Sequence, residues 1–206
     1  MEKLDINRLK QVVRGTCWDL GNEVLYRLCR EHPKHDNEDE ILAKIWLVGR
    51  SYSAAIERRP NSNSVIGEDF YKEIVGPKVR KARIDDWLRP LNKYESPSIG
   101  NCRLIIAAHK RLTSLFKEIS GLSKRSLASK YLHFHFPNLF YLYDSRAAQA
   151  LAATAPRPKE MPQLDEFDVV YAAHYLRCLE LVKRIQQECG VQLSPRRLDD
   201  YLLRLK

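Results

Sequence analysis

Long apolar runs, paired cysteines and glycine- or proline-rich tracts are all scarce in this 206-residue sequence. The longest unbroken apolar stretch lies near Leu104–Ala108, far short of the roughly 18 residues that a membrane-spanning helix needs. The first five residues, Met1 to Asp5, also lack the apolar core of a secretory signal. We therefore expect neither a membrane protein nor a secreted one.

The five cysteines are an odd number and include no C-x-x-C pair, so the sequence indicates neither a disulfide framework nor a zinc site. We expect no metal, no other cofactor and a cytoplasmic location, associated with the nucleoid if the organism is a prokaryote. With only 8 Gly and 10 Pro, a long flexible linker is not expected. The length favours a single domain over residues 1–206, which could have two lobes.

Hydrophobic periodicity is helical along nearly the whole chain, and no alternating strand pattern exceeds about four residues. The sequence therefore predicts a compact all-α fold. Ser194 followed by Pro195 is typical of a helix start, and Gly190 of a helix end. The predicted helices are Ile6–Val13, Asp19–Arg30, Asp39–Arg58, Gly67–Ile74, Ile99 or Asn101 to Ile119, Lys124–Phe134, Ser145–Thr154, Asp165–Glu188 and Pro195–Leu205.

Positive charge is concentrated in one part of the chain. Lys and Arg number 35 against 26 Asp and Glu, a net charge of +9 that favours a polyanionic partner. Residues 101–143 hold one acid, Glu118, among seven cations. Nucleic acid is the commonest partner of such a segment. The seven cations are Arg103, Lys110, Arg111, Lys117, Lys124, Arg125 and Lys130.

Within this basic segment, a helix end, a tight turn and a new helix follow one another at about residues 115–145. A turn built on Gly121 and Ser123 can leave backbone N–H groups free at the start of the next helix, where Lys124 can help them hold a phosphate. Contacts of this kind grip a DNA backbone without reading its sequence. We therefore predict that Gly121, Ser123, Lys124, Arg125 and Lys130 bind double-stranded DNA.

This order of elements resembles the helix-hairpin-helix superfamily of DNA glycosylases, in particular the 8-oxoguanine DNA glycosylase branch. Residues 119–123, Ile-Ser-Gly-Leu-Ser, match its Leu-Pro-Gly-Val-Gly turn, and Asp144 falls where the family has its catalytic Asp. The resemblance extends over Ile41–Leu151 at the level of pattern. It implies a helix-hairpin-helix glycosylase architecture and excision of a damaged or modified base from duplex DNA.

The match departs from the family at two positions in the turn. Ser123 replaces the second glycine, and the position of the nucleophilic lysine holds Arg125, which cannot form a Schiff base. As aligned, the resemblance implies a monofunctional enzyme in which Asp144 assists water. A shift of one residue would instead make Lys124 a catalytic nucleophile. Independently of the resemblance, Asp144 is typical of a helix N-cap.

The resemblance also covers the predicted helix that contains Trp46. In the family, the corresponding helix ends in a polar turn that faces the damaged base. Arg50 and Tyr52 lie at that end, so the resemblance places them at the mouth of a base pocket.

Two other functions are compatible with the sequence. Arg103 and His109 on one predicted helix resemble the Arg-x-x-x-x-(x)-His motif of HEPN ribonucleases, which cleave RNA without a metal. Alternatively, the hairpin could serve a non-catalytic DNA-binding module, which does not need Asp144.

Overall fold

The computed structural model describes residues 4–58, 65–155 and 167–205. Within these ranges every regular element is a helix, which confirms the predicted all-α fold. The elements are α1 (Ile6–Val13), α2 (Asp19–Glu31), α3 (Glu38–Ser51), α4 (Gly67–Asp69), a π-helix (Phe70–Val75), α5 (Gly76–Lys81), α6 (Ile84–Leu88), a 3-10 helix (Arg89–Lys93), α7 (Cys102–Ser120), α8 (Arg125–His135), α9 (Ser145–Thr154), α10 (Val169–Cys189) and α11 (Pro195–Arg204).

Several helix ends lie where the sequence places them because local chemistry sets them. The Ser194 hydroxyl accepts a hydrogen bond from the Arg197 N–H at 3.3 Å and begins α11. Gly190 closes α10 with a φ of +68°, and its N–H donates to the Gln186 carbonyl at 3.0 Å. Both predicted boundaries are confirmed.

The helix predicted over Asp39–Arg58 is too long at its C-terminal end. It stops at Ser51 because the chain turns back on itself: Ser53 has a φ of +52°, and the Ala54 N–H donates to the Gly49 carbonyl at 2.8 Å. A side chain at Gly49 would bring a Cβ within 3.2 Å of the Ala55 Cα. Glycine at this position is therefore what allows the close return.

Three further predictions concern the ends of the described ranges. The helix predicted to start at Asp165 begins at Val169, after the N-cap Asp168, and residues 165 and 166 lie outside the described residues. The sequence also predicts loops at 59–63 and at 155–163, from their Pro, Asn and Ser residues or their three prolines. The first loop and nearly all of the second lie outside the described residues as well.

Helix α8 lies at the centre of the packing and contacts α2, α3 and α7. Its eight residues from Leu127 to Phe134 are all buried, so it has no continuous solvent face. Polar side chains on α8 are therefore held by the core, which fixes the positions of the groups described below.

The longest described helices are α7, with 19 residues, and α10, with 21. Both carry charged side chains among their apolar ones. Across the described ranges, no helix combines the length and apolar character that crossing a membrane requires.

A buried lysine joins α3 to the segment that follows α2. Lys44 is fully buried, and its ammonium donates to the His32 carbonyl at 2.7 Å and to the Lys34 carbonyl at 2.6 Å. Burial lowers the pKa of Lys44. The first bond satisfies the carbonyl of His32, the C-cap residue of α2, and the second satisfies a carbonyl of the chain that follows the helix.

We expect Lys44→Met to lower the free energy of unfolding by about 3 kcal/mol, because it leaves two carbonyl oxygens without their donor. Urea unfolding at neutral pH measures the change. Lys34→Met, at an exposed position, is the matched control and should stay within about 0.5 kcal/mol of the wild type. Equal stabilities of the two variants would contradict this role of Lys44.

Candidate functional site

The predicted hairpin lies between α7 and α8. Helix α7 ends at Ser120, and Gly121 has a φ of +74° that lets its N–H donate to the Lys117 carbonyl at 2.8 Å. The buried Ser120 hydroxyl then accepts the Leu122 N–H at 3.3 Å. Gly121, Leu122 and Ser123 are exposed, so the turn projects from the surface of the molecule.

Helix α8 begins without a side-chain cap. Its N-cap residue is Lys124, whose side chain makes no hydrogen bond to the first turn. Backbone N–H groups at such an end carry partial positive charge and can receive an anion. The start of α8 therefore leaves its first backbone N–H groups without a side-chain cap.

Lys124 is directed away from Asp144. Its ammonium donates to the Ala55 carbonyl at 3.0 Å and also to the Arg58 carbonyl, so it ties the start of α8 to the chain that follows α3. Burial lowers the pKa of Lys124, and the nearby Glu57 opposes that effect. Asp144 is not among the contacts of Lys124 in the described part of the chain.

Arg125 is also held within the protein. Its Nε donates to Asp168 Oδ2 at 2.7 Å, and its guanidinium lies 5.6 Å from the centre of the Tyr143 ring. Burial raises the pKa of Asp168, but the hydrogen bond and the charge of Arg125 outweigh it, so the pKa lies below its usual value. Arg125 thus fixes the start of α10 against α8.

Lys130 lies beside Asp144. Its side chain is only 3% exposed, and its ammonium donates to the Ser126 hydroxyl at 2.7 Å and lies 3.8 Å from Asp144 Oδ2. Burial lowers the pKa of Lys130, while Asp144 acts in the opposite direction. A side chain this deeply buried is not placed for the phosphate contact that the sequence predicts.

The carboxylate of Asp144 has two differently occupied oxygens. Oδ1 caps α9 by accepting the N–H groups of Arg146 at 2.9 Å and Ala147 at 3.1 Å. Oδ2 faces Lys130, and the side chain is 31% exposed. Asp144 is therefore both a helix cap and a fixed, accessible carboxylate beside a buried cation.

Tyr52 belongs to the same cluster. Its ring centre lies 5.4 Å from the Lys130 ammonium and 5.7 Å from the Arg196 guanidinium. Its hydroxyl donates to Asn22 Oδ1 at 2.6 Å and accepts from Arg196 Nη1 at 2.9 Å. One of the two residues predicted for a base pocket thus lies next to the pair formed by Lys130 and Asp144.

Arg50, the other predicted pocket residue, lies elsewhere. It is exposed, and its Nη2 is 2.5 Å from Glu57 Oε1. It lines a cavity of about 450 Å³ together with Trp46 and Tyr71. Since the helix ends between Arg50 and Tyr52, the two side chains do not line one pocket.

Helix α11 adds two charged residues that sequence reasoning did not place in the site. Arg196 Nη1 lies 3.5 Å from Asp199 Oδ2, and both side chains are largely buried. Burial raises the pKa of Asp199 to about 7, although Arg196 and Lys130 both act to lower it. Because Arg196 and Asp199 are three residues apart on a helix, the sequence can predict that they pair. Nothing in the sequence predicts that this pair lies near Lys130.

The residues behind the ribonuclease alternative do not form an accessible pair. Arg103 is exposed, whereas His109 is fully buried, stacks on Tyr171 with ring centres 3.5 Å apart, and hydrogen-bonds the Arg125 carbonyl at 3.1 Å. Burial lowers the pKa of His109 to about 3. A histidine in this environment is not placed to transfer a proton to RNA.

The described residues contain no group of three or more His, Cys, Asp or Glu side chains that could hold a metal ion. Comparisons of the chain with models of protein families, with curated proteins and with solved structures find no match.

Proposed function

We propose that this protein is a DNA N-glycosylase that binds duplex DNA through the hairpin and excises a base with the help of Asp144. One observation carries the proposal: the carboxylate of Asp144 is fixed by two backbone N–H groups and lies 3.8 Å from the buried Lys130, on the helix that starts at the hairpin. The hairpin that we propose as the DNA-binding element and the Lys130 that faces Asp144 thus belong to one rigid helix, α8.

The chemistry follows from where charge develops. As the bond between C1′ of the sugar and the base nitrogen breaks, its electron pair leaves with the base and positive charge builds on the sugar. A fixed carboxylate stabilises that charge and can take a proton from the water that attacks C1′, while the departing base takes up a proton. Asp144 can act in this way on a base flipped out of the duplex.

The environments of the lysines favour hydrolysis over a Schiff-base mechanism. Lys124 donates to two backbone carbonyls, and the Lys130 ammonium donates to Ser126 and faces Asp144. A nucleophilic amine needs a free electron pair and access to C1′. We therefore propose a monofunctional enzyme in which Lys130 is a positioning residue for Asp144.

We expect Lys130→Met to slow base release at saturating protein about 10- to 100-fold while leaving affinity for duplex DNA unchanged, because the buried ammonium orients Asp144 and does not reach a phosphate. Single-turnover release and fluorescence anisotropy measure the two effects separately. A loss of affinity with an unchanged release rate would contradict this role and show that Lys130 contacts a phosphate.

The proposal is tested by incubating the wild type with duplexes that carry oxidised, deaminated, alkylated or hypermodified bases, and detecting free base by mass spectrometry. We expect release from at least one duplex and none with Asp144→Asn. Binding to every duplex without release from any would favour the non-catalytic module, in which Asp144 serves only as the α9 cap.

A further inference from the structure

The outer face of α7 carries a row of cations that leads to the hairpin. Arg103, Lys110 and Lys117 are exposed and lie seven residues apart. Seven residues turn an α-helix by 20° less than two full turns and advance it by about 10.5 Å. The three side chains therefore lie within about 40° of one another around the helix axis, and the row ends one turn before Gly121.

Within the described residues, no carboxylate pairs with the cations of this row. Neither Lys110 nor Lys117 forms an ion pair there, and Arg103 contacts the Phe167 ring at 5.5 Å, which leaves its charge intact. At the hairpin end, Lys78 donates to the Glu118 carbonyl at 3.3 Å and adds a fourth cation. Other exposed arginines do pair with carboxylates, namely Arg30, Arg50, Arg80, Arg83 and Arg89.

The opposite face of α7 holds the row in place. Ile105, Ile106, Leu112 and Phe116 are fully buried in the core. The cations are thus presented at fixed spacing along a rigid helix, from Arg103 to Lys117 over about 21 Å.

We infer that this row binds the sugar-phosphate backbone of duplex DNA beside the hairpin, so that the contact with the duplex extends along α7. The inference rests on the proposed function and deepens it. Ammonium and guanidinium groups that no carboxylate of the described residues pairs with are suited to phosphates, and such contacts fix register without reading bases.

A membrane surface suits this face less well. An amphipathic helix that lies on lipid places large apolar side chains next to its cations. The exposed large apolar residue of α7, Leu104, is 42% exposed and lies about 100° around the helix from Arg103. The face that carries the row is therefore polar.

The test is the salt dependence of binding to a fluorescent DNA duplex, measured by anisotropy between about 50 and 200 mM KCl. For the triple variant R103Q/K110Q/K117Q we expect the slope of log K against log salt to shrink by about 2.7, with an affinity about 500-fold lower near 0.1 M salt. The matched control, K10Q/R14Q/R27Q, removes three exposed charges from α1, its end and α2, and should keep the wild-type slope.

Base release separates this inference from the proposed function. At saturating protein, the row variant should release base at the wild-type rate, whereas Asp144→Asn should keep the wild-type slope and lose release. If the row variant and the control share one slope while the wild type still releases base, the inference is overturned and the proposed function stands. Row-dependent binding to phosphatidylserine vesicles without duplex binding would overturn the inference in favour of a membrane surface.

Discussion

Replacing Asp144 with Asn is expected to lower the rate of base release about 1000-fold while leaving the fold intact. Asparagine accepts the same N–H groups at the start of α9 and caps helices about as well as aspartate, so the contribution of the cap to the free energy of unfolding should change by less than about 0.5 kcal/mol. Any larger loss of stability reports the negative charge that faces the buried Lys130 ammonium. What is lost is the negative charge that stabilises the developing sugar cation. Single-turnover release measures the rate, and urea unfolding measures the stability.

Two variants make this result specific. Asp5 caps α1 in a similar way, so Asp5→Asn is the matched control and should release base at the wild-type rate. Asp144→Ala should lose both release and about 1 kcal/mol of stability, because it removes the cap as well as the charge. If Asp144→Asn retains the wild-type rate, Asp144 only caps α9 and takes no part in base release.

The second large effect concerns acid stability, because four of the six histidines are buried and a fifth, His135, is partly buried. Burial lowers the pKa of His35 and His174 to about 4, lowers that of His109 and His133 to about 3, and lowers that of His135 well below its usual value. The unfolded chain takes up these protons near pH 6.5, before the folded protein can. Stability is therefore fully present above pH 6.5 and lost as the pH falls toward about 4.

Each of these histidines lowers the free energy of unfolding by about 1.4 kcal/mol per pH unit below pH 6.5. Asp199 acts in the opposite direction, since burial raises its pKa to about 7 and the folded state takes up its proton first. The neighbouring Asp200 acts in the same way, because burial raises its pKa as well. Five groups against two leave a loss of about 4 kcal/mol per pH unit, a large part of the stability of a typical domain. We expect the protein to unfold near pH 5. Circular dichroism during an acid titration measures this transition.

His135 provides the variant that checks the cause. Its Nε2 is buried and has no hydrogen-bond partner, so His135→Phe removes a titrating group without breaking a bond of that atom. The pH dependence of unfolding should become shallower by about 1.4 kcal/mol per unit. Equal slopes for the wild type and His135→Phe would show that His135 does not contribute to the acid sensitivity.

Features set by neighbouring residues could be predicted from the sequence, and those set by packing could not. The hairpin follows from the conformational freedom of Gly121, and the start of α9 follows from the capping chemistry of Asp144. In contrast, periodicity assumes one solvent face per helix, whereas α8 is buried from Leu127 to Phe134. That is why Lys130 lies in the core and not on a DNA-binding surface.

The composition of the candidate site depends on contacts between distant parts of the chain. Tyr52 joins it because the chain turns back after α3, and the same turn leaves Arg50 on another surface. Arg196 and Asp199 reach it only through the packing of α11. A local sequence pattern does not encode contacts between distant parts of the chain. The sequence therefore predicts the carboxylate of Asp144 but not the residues that surround it.

The most direct test of Asp144-assisted hydrolysis is the intact mass of the modified DNA strand after incubation with the wild-type protein. We expect an unbroken strand in which a hydroxyl group replaces the base, together with an equal amount of free base. An unchanged strand mass would contradict glycosylase activity altogether. A strand cut at the abasic position would instead show that a lysine acts as the nucleophile, in conflict with the hydrogen bonds that hold Lys124 and Lys130.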